Sequence, residues 1–166
     1  EVGLLQSGFN DMVVGLRERE RLRDLFGRHV GEDVAEQALL VGTELGGEVR
    51  DVAVIFVDVV GSTEMAASRP AAEVVEMLNR FFAVVIDAIG RFDGSVNKFE
   101  GDAALCIFGA PVSQHDPAGD ALAAARAMTE GLQRELPEIG VGIGVSYGSV
   151  VAGNVGSAER HEYTVI

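Results

Sequence analysis

The chain has 166 residues, enough for one domain with a helical extension and too few for two full domains. Its formal net charge of −13 argues against nucleic-acid binding, which requires a basic face for the phosphates. No apolar run approaches the roughly 20 residues that span a bilayer, and no signal-peptide pattern opens the sequence. The single cysteine, Cys106, excludes an internal disulfide and a cysteine-based zinc site. We therefore expect a soluble chain from a reducing, cytoplasmic compartment.

The first part of the chain, residues 1–41, has a helical pattern. Its early apolar residues repeat at intervals of three and four, as in a heptad seam: Val2, Leu5, Phe9, Met12 and Leu16. This helix either pairs with another helix or packs on its own domain. The mixed-charge run Arg17–Arg23 indicates a solvated helix surface. A second short helix is predicted over Glu32–Leu40, and the glycine-rich stretch Gly42–Glu48 separates this part from residues 42–166.

The second part of the chain alternates between strands and helices. Val52–Val57 is a continuous apolar, β-branched run, which predicts a central strand buried on both faces. A turn at Gly61 leads into a predicted helix that continues to about Ile89, and either Ser62 or Thr63 can cap it.

A hairpin, a helix and further strands are predicted after Ile89. The predicted segments are a strand at Ser95–Phe99, a turn at Glu100–Gly101, a strand at Ala103–Phe108, a helix at Asp116–Leu136, and strands at Val141–Tyr147, Val150–Asn154 and Tyr163–Ile166. The order βαββαβ predicts a ferredoxin-like α+β fold.

Two aspartates mark the ends of neighbouring strands in that fold. Asp58 closes the first strand, and Asp102 lies at the hairpin turn, so both carboxylates can reach one point. Close carboxylates repel each other, and a divalent cation between them removes the repulsion. Taken singly, Asp58 could be a helix cap and Asp102 a turn residue. Together they predict a metal site that can support two-metal catalysis.

The segment that joins the first strand to the next helix comprises Val59, Val60, Gly61, Ser62 and Thr63. Its backbone N–H groups lie at a helix N-terminus and would point towards an anion. The segment does not match the Walker A pattern, which needs Gly-Lys-Ser/Thr. Beside two metal-binding carboxylates, it predicts a cradle for a triphosphate.

Four motifs in this order resemble the class III nucleotidyl cyclases, the catalytic domains of adenylyl and guanylyl cyclases: IFVDVVGST, NKFEGDAALCIFG, GVGIGVSYGSVVAGNVGS and HEYTVI. The resemblance covers about Arg50 to Ile166. The opening EVGLLQSGFNDMV resembles the second helix of a HAMP linker, which passes signals from membrane segments to cytosolic domains. This implies a parent protein anchored in the membrane, with its catalytic domain in the cytoplasm.

The resemblance implies roles for particular residues. Asp58 and Asp102 fall on the family's metal ligands, which hold two Mg²⁺ or Mn²⁺ ions. Lys98, the only lysine of the chain, falls on the residue that binds adenine. Thr164 falls on the second base-selecting position, where many adenylyl cyclases have aspartate and one bacterial subgroup has threonine. The implied reaction converts ATP to 3′,5′-cyclic AMP and pyrophosphate.

The resemblance also implies a head-to-tail homodimer, in which Asp58 and Asp102 come from one protomer and Lys98 and Thr164 from the other. The family's transition-state Asn and Arg would follow Ile166, where this sequence stops. The alternative is therefore a catalytically inactive module for dimerisation or signalling. A diguanylate cyclase is disfavoured because the hairpin carries FEGD rather than a GGDEF-like motif. Lys98 could also be a solubilising residue on an edge strand.

Overall fold

A computed structural model describes the backbone of residues 2–31, 34–35 and 44–166. Side chains are described for the same residues except 2–11 and 28–30. The chain divides into two compact units, Glu1–Gly42 and Thr43–Ile166.

The first unit contains helix α1, Val2–Val30, where the sequence predicts a helix. Two residues of the predicted seam have described side chains, Met12 and Leu16, and both are more than half exposed. The helix predicted over Glu32–Leu40 lies outside the described residues, except for residues 34–35, which are helical. Among the helices that the structure describes, none combines the length and the apolar character needed to cross a membrane.

The second unit is an antiparallel sheet of five strands with three helices, over residues 44–166. The strands are β1 (Gly46–Val60), β2 (Ser95–Glu100), β3 (Ala103–Phe108), β4 (Gly140–Gly156) and β5 (His161–Val165); the helices are α2 (Ser62–Ser68), α3 (Ala71–Gly90) and α4 (Pro117–Glu135). The order across the sheet is β2-β3-β1-β4-β5. The first four strands therefore have the predicted ferredoxin-like arrangement, and β5 extends it.

Helices α3 and α4 cover one face of this sheet. Alternate residues of β1 are buried beneath them, from Ala53 to Val59, and they pack with Phe81 of α3 and Met128 of α4. Cys106 of β3 lies in the same core, and its burial raises the pKa of the thiol to about 12. This apolar layer fixes β1 and β3 side by side.

The opposite face of the sheet, here called the open face, is only partly covered. Tyr163 and Val165 of β5 pack against a small buried cluster that includes Val52 and Ile107. Further along β1, Phe56 is 43% exposed. The prediction that this strand is buried on both faces is therefore correct at Val52 and wrong at Phe56, because β5 covers only part of the open face.

The sequence predicts one helix from the Gly61 turn to about Ile89, but the structure has two. Helix α2 ends at Ser68, and α3 begins at Ala71. Arg69 between them is extended, with φ −119° and ψ 154°. The break follows from Pro70, because a proline disfavours the helical conformation of the residue before it.

Two turn predictions also need correction. The hairpin turn consists of Gly101 and Asp102, one residue later than predicted, and Gly101 has the positive φ of +68° that glycine tolerates. Gly148 does not separate two strands. Strand β4 pairs with β1 without interruption, and Gly148 lies opposite Val52.

Glycine is required at one contact of this long pairing. A Cβ atom on Gly153 of β4 would overlap the carbonyl oxygen of Gly46, whereas a Cβ on Gly142 would meet no heavy atom within 4 Å. We expect Gly153→Ala to lower the free energy of unfolding by about 1–3 kcal/mol, because strand backbone must shift. Gly142→Ala should change it by less than about 0.5 kcal/mol. Urea denaturation measures both, and equal losses would contradict the close approach.

Candidate active site

Asp58 and Asp102 lie next to each other on the open face. Asp58 is near the end of β1, directly opposite Ala103 of β3, and Asp102 is the last turn residue before β3. Their carboxyl groups are close enough to interact through a hydrogen bond. The structure thus brings together the two aspartates that the sequence pairs, because β1 and β3 are neighbours.

The two carboxyl groups differ in their proton affinity. Partial burial, the hydrogen bond to Asp102 and the charge of Asp102 together raise the pKa of Asp58, and a hydrogen bond from the Val59 backbone N–H counteracts them in part. The pKa of Asp102 is lowered, chiefly because the Ser62 hydroxyl donates a hydrogen bond to its carboxylate. Asp102 is therefore the more readily ionised member of the pair.

Ser62 does not cap the helix, as the sequence predicts for Ser62 or Thr63. The N-cap of α2 is Gly61, which has a φ of +74°, and it makes no side-chain capping hydrogen bond. The Ser62 hydroxyl contacts Asp102 instead. The capping prediction fails because the helix begins at Ser62, so that Ser62 and Thr63 lie within its first turn and Gly61 takes the N-cap position.

The remaining residues of the predicted cradle lie around this pair. The Val59 side chain is buried in the core, while its N–H faces the Asp58 carboxylate. Val60 and Gly61 are exposed, and so is Thr63. Three of the five residues of this segment are thus exposed, and its binding of an anion stays a prediction.

The open face beside Asp58 carries almost no side chains on β4. Gly142 lies opposite Asp58, and Gly144 lies opposite Phe56. An added Cβ would meet no atom within 4 Å at Gly142 and only the Phe56 carbonyl oxygen, 4.0 Å away, at Gly144. Glycines in a strand permit another molecule to approach the backbone closely. The paired carboxylates thus border a shallow, accessible trough.

The donor set fits a hard divalent cation. Carboxylate oxygens are the ligands that Mg²⁺ and Mn²⁺ prefer, and Mg²⁺ is commonly held by one or two carboxylates together with water and substrate phosphates. Asp58 and Asp102 supply two such groups. Among the residues that the structure describes, no group of three or more His, Cys, Asp or Glu could hold a metal. A metal at this pair would therefore share its coordination with substrate or water.

Lys98 and Thr164 form part of a second polar cluster, between β2 and β5. The Lys98 ammonium forms an ion pair with the Glu162 carboxylate. The Thr164 hydroxyl donates to Asn97 Oδ1 at 3.2 Å, and Asn97 Nδ2 donates to the Tyr163 carbonyl oxygen at 2.6 Å. The structure thus brings together the two residues that the resemblance assigns to the base, although their strands lie at opposite ends of the sheet order.

A β-bulge explains how β2 reaches β5 with two consecutive residues. The register of β2 against β3 shifts between Val96 and Lys98. Such a shift interrupts the alternation of side chains along a strand. As a result, Asn97 and Lys98 both contact β5.

Sequence reasoning missed Asn97 and Glu162. The available signal for Glu162 was its position two residues before Thr164, on the same face of a strand. No local signal marked Asn97, because it reaches Thr164 only through the bulge.

The residues match a known family. The model for the adenylate and guanylate cyclase catalytic domain matches residues 47–165. The chain belongs to this family. Among its relatives, the Mycobacterium tuberculosis protein Rv1318c is 61% identical over 166 residues, which are 100% of this chain and 31% of the relative. The chain therefore spans about a third of the length of this relative, and the cyclase domain is one part of that longer protein.

Solved cyclases of both nucleotide types have this fold. The guanylyl cyclase Cya2 is 34% identical, with a TM-score of 0.69 over 74% of this chain and 66% of that chain. The adenylyl cyclase CyaB from P. aeruginosa is 24% identical, with a TM-score of 0.69 over 74% of this chain and 68% of that chain. The fold is therefore that of a cyclase domain, and by itself it does not distinguish ATP from GTP as the substrate.

The contact between Ser62 and Asp102 can be tested directly. Removing the hydroxyl in Ser62→Ala should raise the pKa of Asp102, because its carboxylate loses the hydrogen bond that favours ionisation. Carboxyl ¹³C NMR titration without divalent cations measures this change. Ser68→Ala is the matched control, since the Ser68 hydroxyl donates to the Met65 carbonyl within the same helix. An unchanged Asp102 pKa in Ser62→Ala would rule out the contact.

Proposed function

We propose that this cyclase domain converts ATP to 3′,5′-cyclic AMP and pyrophosphate. The observation that carries the proposal is the adjacency of Asp58 and Asp102 on the open face, together with a lysine and a hydroxyl at the base site. Asp58 and Asp102 suit the metal-bound triphosphate of the substrate. Lys98 and Thr164 suit the purine.

Asp58 and Asp102 would hold two Mg²⁺ or Mn²⁺ ions against the phosphates. Bound there, the ions would lower the pKa of the ribose 3′-hydroxyl and neutralise the charge that develops on the leaving pyrophosphate. Ser62, whose hydroxyl donates a hydrogen bond to the Asp102 carboxylate, would help to orient this ligand. The backbone of the 59–63 segment would bind the phosphate oxygens and orient the chain of phosphates.

The base site favours adenine over guanine on hydrogen-bonding grounds. Lys98 can only donate. The N1 atom of adenine is an acceptor, whereas guanine carries a hydrogen at N1 and requires an acceptor there. The Thr164 hydroxyl can accept a hydrogen bond from the 6-amino group of adenine. These pairings support ATP as the substrate.

A head-to-tail homodimer would combine the two clusters. Lys98 lies in β2 and pairs with Glu162 of β5, whereas Asp102 lies in the turn that follows β2. The open face exposes Phe56 beside the glycine residues of β4, which leaves room for a second protomer. In the proposed dimer, Asp58 and Asp102 of one protomer would act with Lys98 and Thr164 of its partner.

Helix α1 supports the same arrangement. Met12 and Leu16 belong to the heptad seam and are exposed in the single chain. Two copies of this seam could pack together as a coiled coil. We propose that the helix, as a HAMP-type connection, carries signals to the catalytic dimer from a membrane-anchored part of the parent protein.

Loss of one metal-binding carboxylate tests the reaction. Asp58→Asn in the full-length protein should reduce cyclic AMP formation from Mn²⁺-ATP by about 100-fold or more, because charge stabilisation in the transition state is lost. Asp51→Asn is the control, since Asp51 is an exposed carboxylate on the same strand, and it should retain activity. Full activity of Asp58→Asn would refute the site. Absence of cyclic AMP from the wild-type protein would favour the inactive signalling module.

Mixing two inactive variants tests the shared site. Asp58→Asn and Lys98→Ala should each be inactive alone, while their heterodimer retains one intact site. Random pairing of equal amounts should restore about a quarter of wild-type turnover, because half of the dimers are mixed and each has one functional site. Cyclic AMP formation against the mixing ratio measures this. Failure to recover activity, with subunit exchange verified, would contradict the shared site.

A further inference from the structure

Asn97, Tyr163 and Thr164 form a connected set of hydrogen bonds behind Lys98. Asn97 Nδ2 lies 2.6 Å from the Tyr163 carbonyl oxygen, and Asn97 Oδ1 lies 3.2 Å from the Thr164 hydroxyl. All three residues are partly buried. Asn97 is therefore the group that links the backbone of β5 to the side chain of Thr164.

The orientation of the Asn97 amide follows from its partners. A backbone carbonyl oxygen can only accept, so the nitrogen of Asn97 must face Tyr163. The amide oxygen then faces Thr164 and, as an acceptor, needs a donor there. The only hydrogen of the Thr164 hydroxyl is therefore committed to Asn97. Only the two lone pairs of the hydroxyl oxygen remain available to a ligand.

Because its hydrogen is bound to Asn97, the Thr164 hydroxyl can only accept a hydrogen bond from a ligand. A free hydroxyl can donate or accept, so by itself it distinguishes poorly between a 6-amino and a 6-oxo purine. A hydroxyl that only accepts matches the 6-amino group and meets the 6-oxo oxygen with its lone pairs. Beside it, Lys98 presents only donors and is held by Glu162. With Lys98 at N1 and Thr164 at the 6-position, this donor and acceptor complement adenine, which accepts at N1 and donates from its 6-amino group.

We propose that Asn97 is a positioning residue that sets purine selectivity by making the Thr164 hydroxyl an acceptor only. This inference rests on the proposed assignment of Thr164 to the base site. Packing of Tyr163 against the cluster around Val52 holds the carbonyl in place, and the bulge in β2 aims Asn97 at it. Selectivity at Thr164 is thereby supplied by a neighbour that does not itself touch the base.

The test compares ATP with GTP in the full-length protein. Asn97→Ala frees the Thr164 hydroxyl to donate to a 6-oxo group, and the ratio of kcat/KM for ATP to that for GTP should fall roughly tenfold, mainly through better use of GTP. Asn97→Asp also loses the donor to the Tyr163 carbonyl oxygen but keeps an acceptor in front of Thr164, so its ratio should stay closer to the wild-type value than that of Asn97→Ala. A purely structural role for Asn97 predicts similar changes in the two variants, because both lose the hydrogen bond to Tyr163. Displacement of a fluorescent ATP analogue by ATP and by GTP gives the same comparison for binding.

Two further variants make the result specific. In a Thr164→Val background, Asn97→Ala should leave the ratio unchanged, since no hydroxyl remains to be oriented. Asn154→Ala is the matched control, because the Asn154 amide also donates to a backbone carbonyl, that of Glu44 at 3.1 Å, without contacting Thr164. It should keep the wild-type ratio.

The outcomes separate this inference from the proposed function. If the wild-type protein binds and cyclises ATP but Asn97→Ala keeps its selectivity, the role of Asn97 is refuted and the function stands. If Asn97→Ala changes the ratio equally with and without the Thr164 hydroxyl, Asn97 does not act through Thr164. If the wild-type protein binds neither nucleotide, the proposed function fails and this inference fails with it.

Discussion

The antiparallel pairing of β1 with β3 is the constraint on which the candidate site depends. It places Asp58 directly opposite Ala103 and therefore beside Asp102. The pKa of Asp58 is raised first by desolvation and further by its contact with Asp102 and the charge of Asp102, so the two carboxylates repel each other when both are ionised. The buried layer under α3 and α4 holds the two strands in register against this repulsion. A bound cation would relieve the same repulsion, which links the stability of the fold to the proposed chemistry.

The candidate site also depends on β5, which covers part of the open face. Strand β5 pairs only with the far half of β4, and its apolar side chains pack over the region around Val52. This contact brings Thr164 to Asn97 and Glu162 to Lys98 across the ends of the sheet. It stops short of Phe56, so the region beside the carboxylates stays accessible. The packing of β5 around Val52 thus assembles the polar cluster of Lys98 and Thr164 and leaves the surface beside Asp58 accessible.

Much of the fold could be predicted because it depends on local signals. Alternation, apolar runs and turn residues locate the hairpin, and the strand order that follows from them is sufficient to place Asp58 next to Asp102. The single helix predicted across Pro70 is wrong, although the sequence carries the signal for a break, because proline disfavours the helical conformation of the residue before it. The Ser62 contact, the bulge at Asn97 and the packing of β5 could not be predicted. These three features depend on a partner distant in sequence or on a register shift, and no local residue pattern predicts either.

Paramagnetic broadening of backbone amide NMR signals by Mn²⁺, in the presence of a non-cyclisable ATP analogue, tests the proposed metal–nucleotide site most directly. The chain carries a net charge of −13, so many surface carboxylates compete for the ion. We expect the broadening at low Mn²⁺ to be centred on Asp58 and Asp102 and to be lost in Asp58→Asn. Broadening centred on other carboxylates, unaffected by that substitution, would contradict a metal–nucleotide site at this pair.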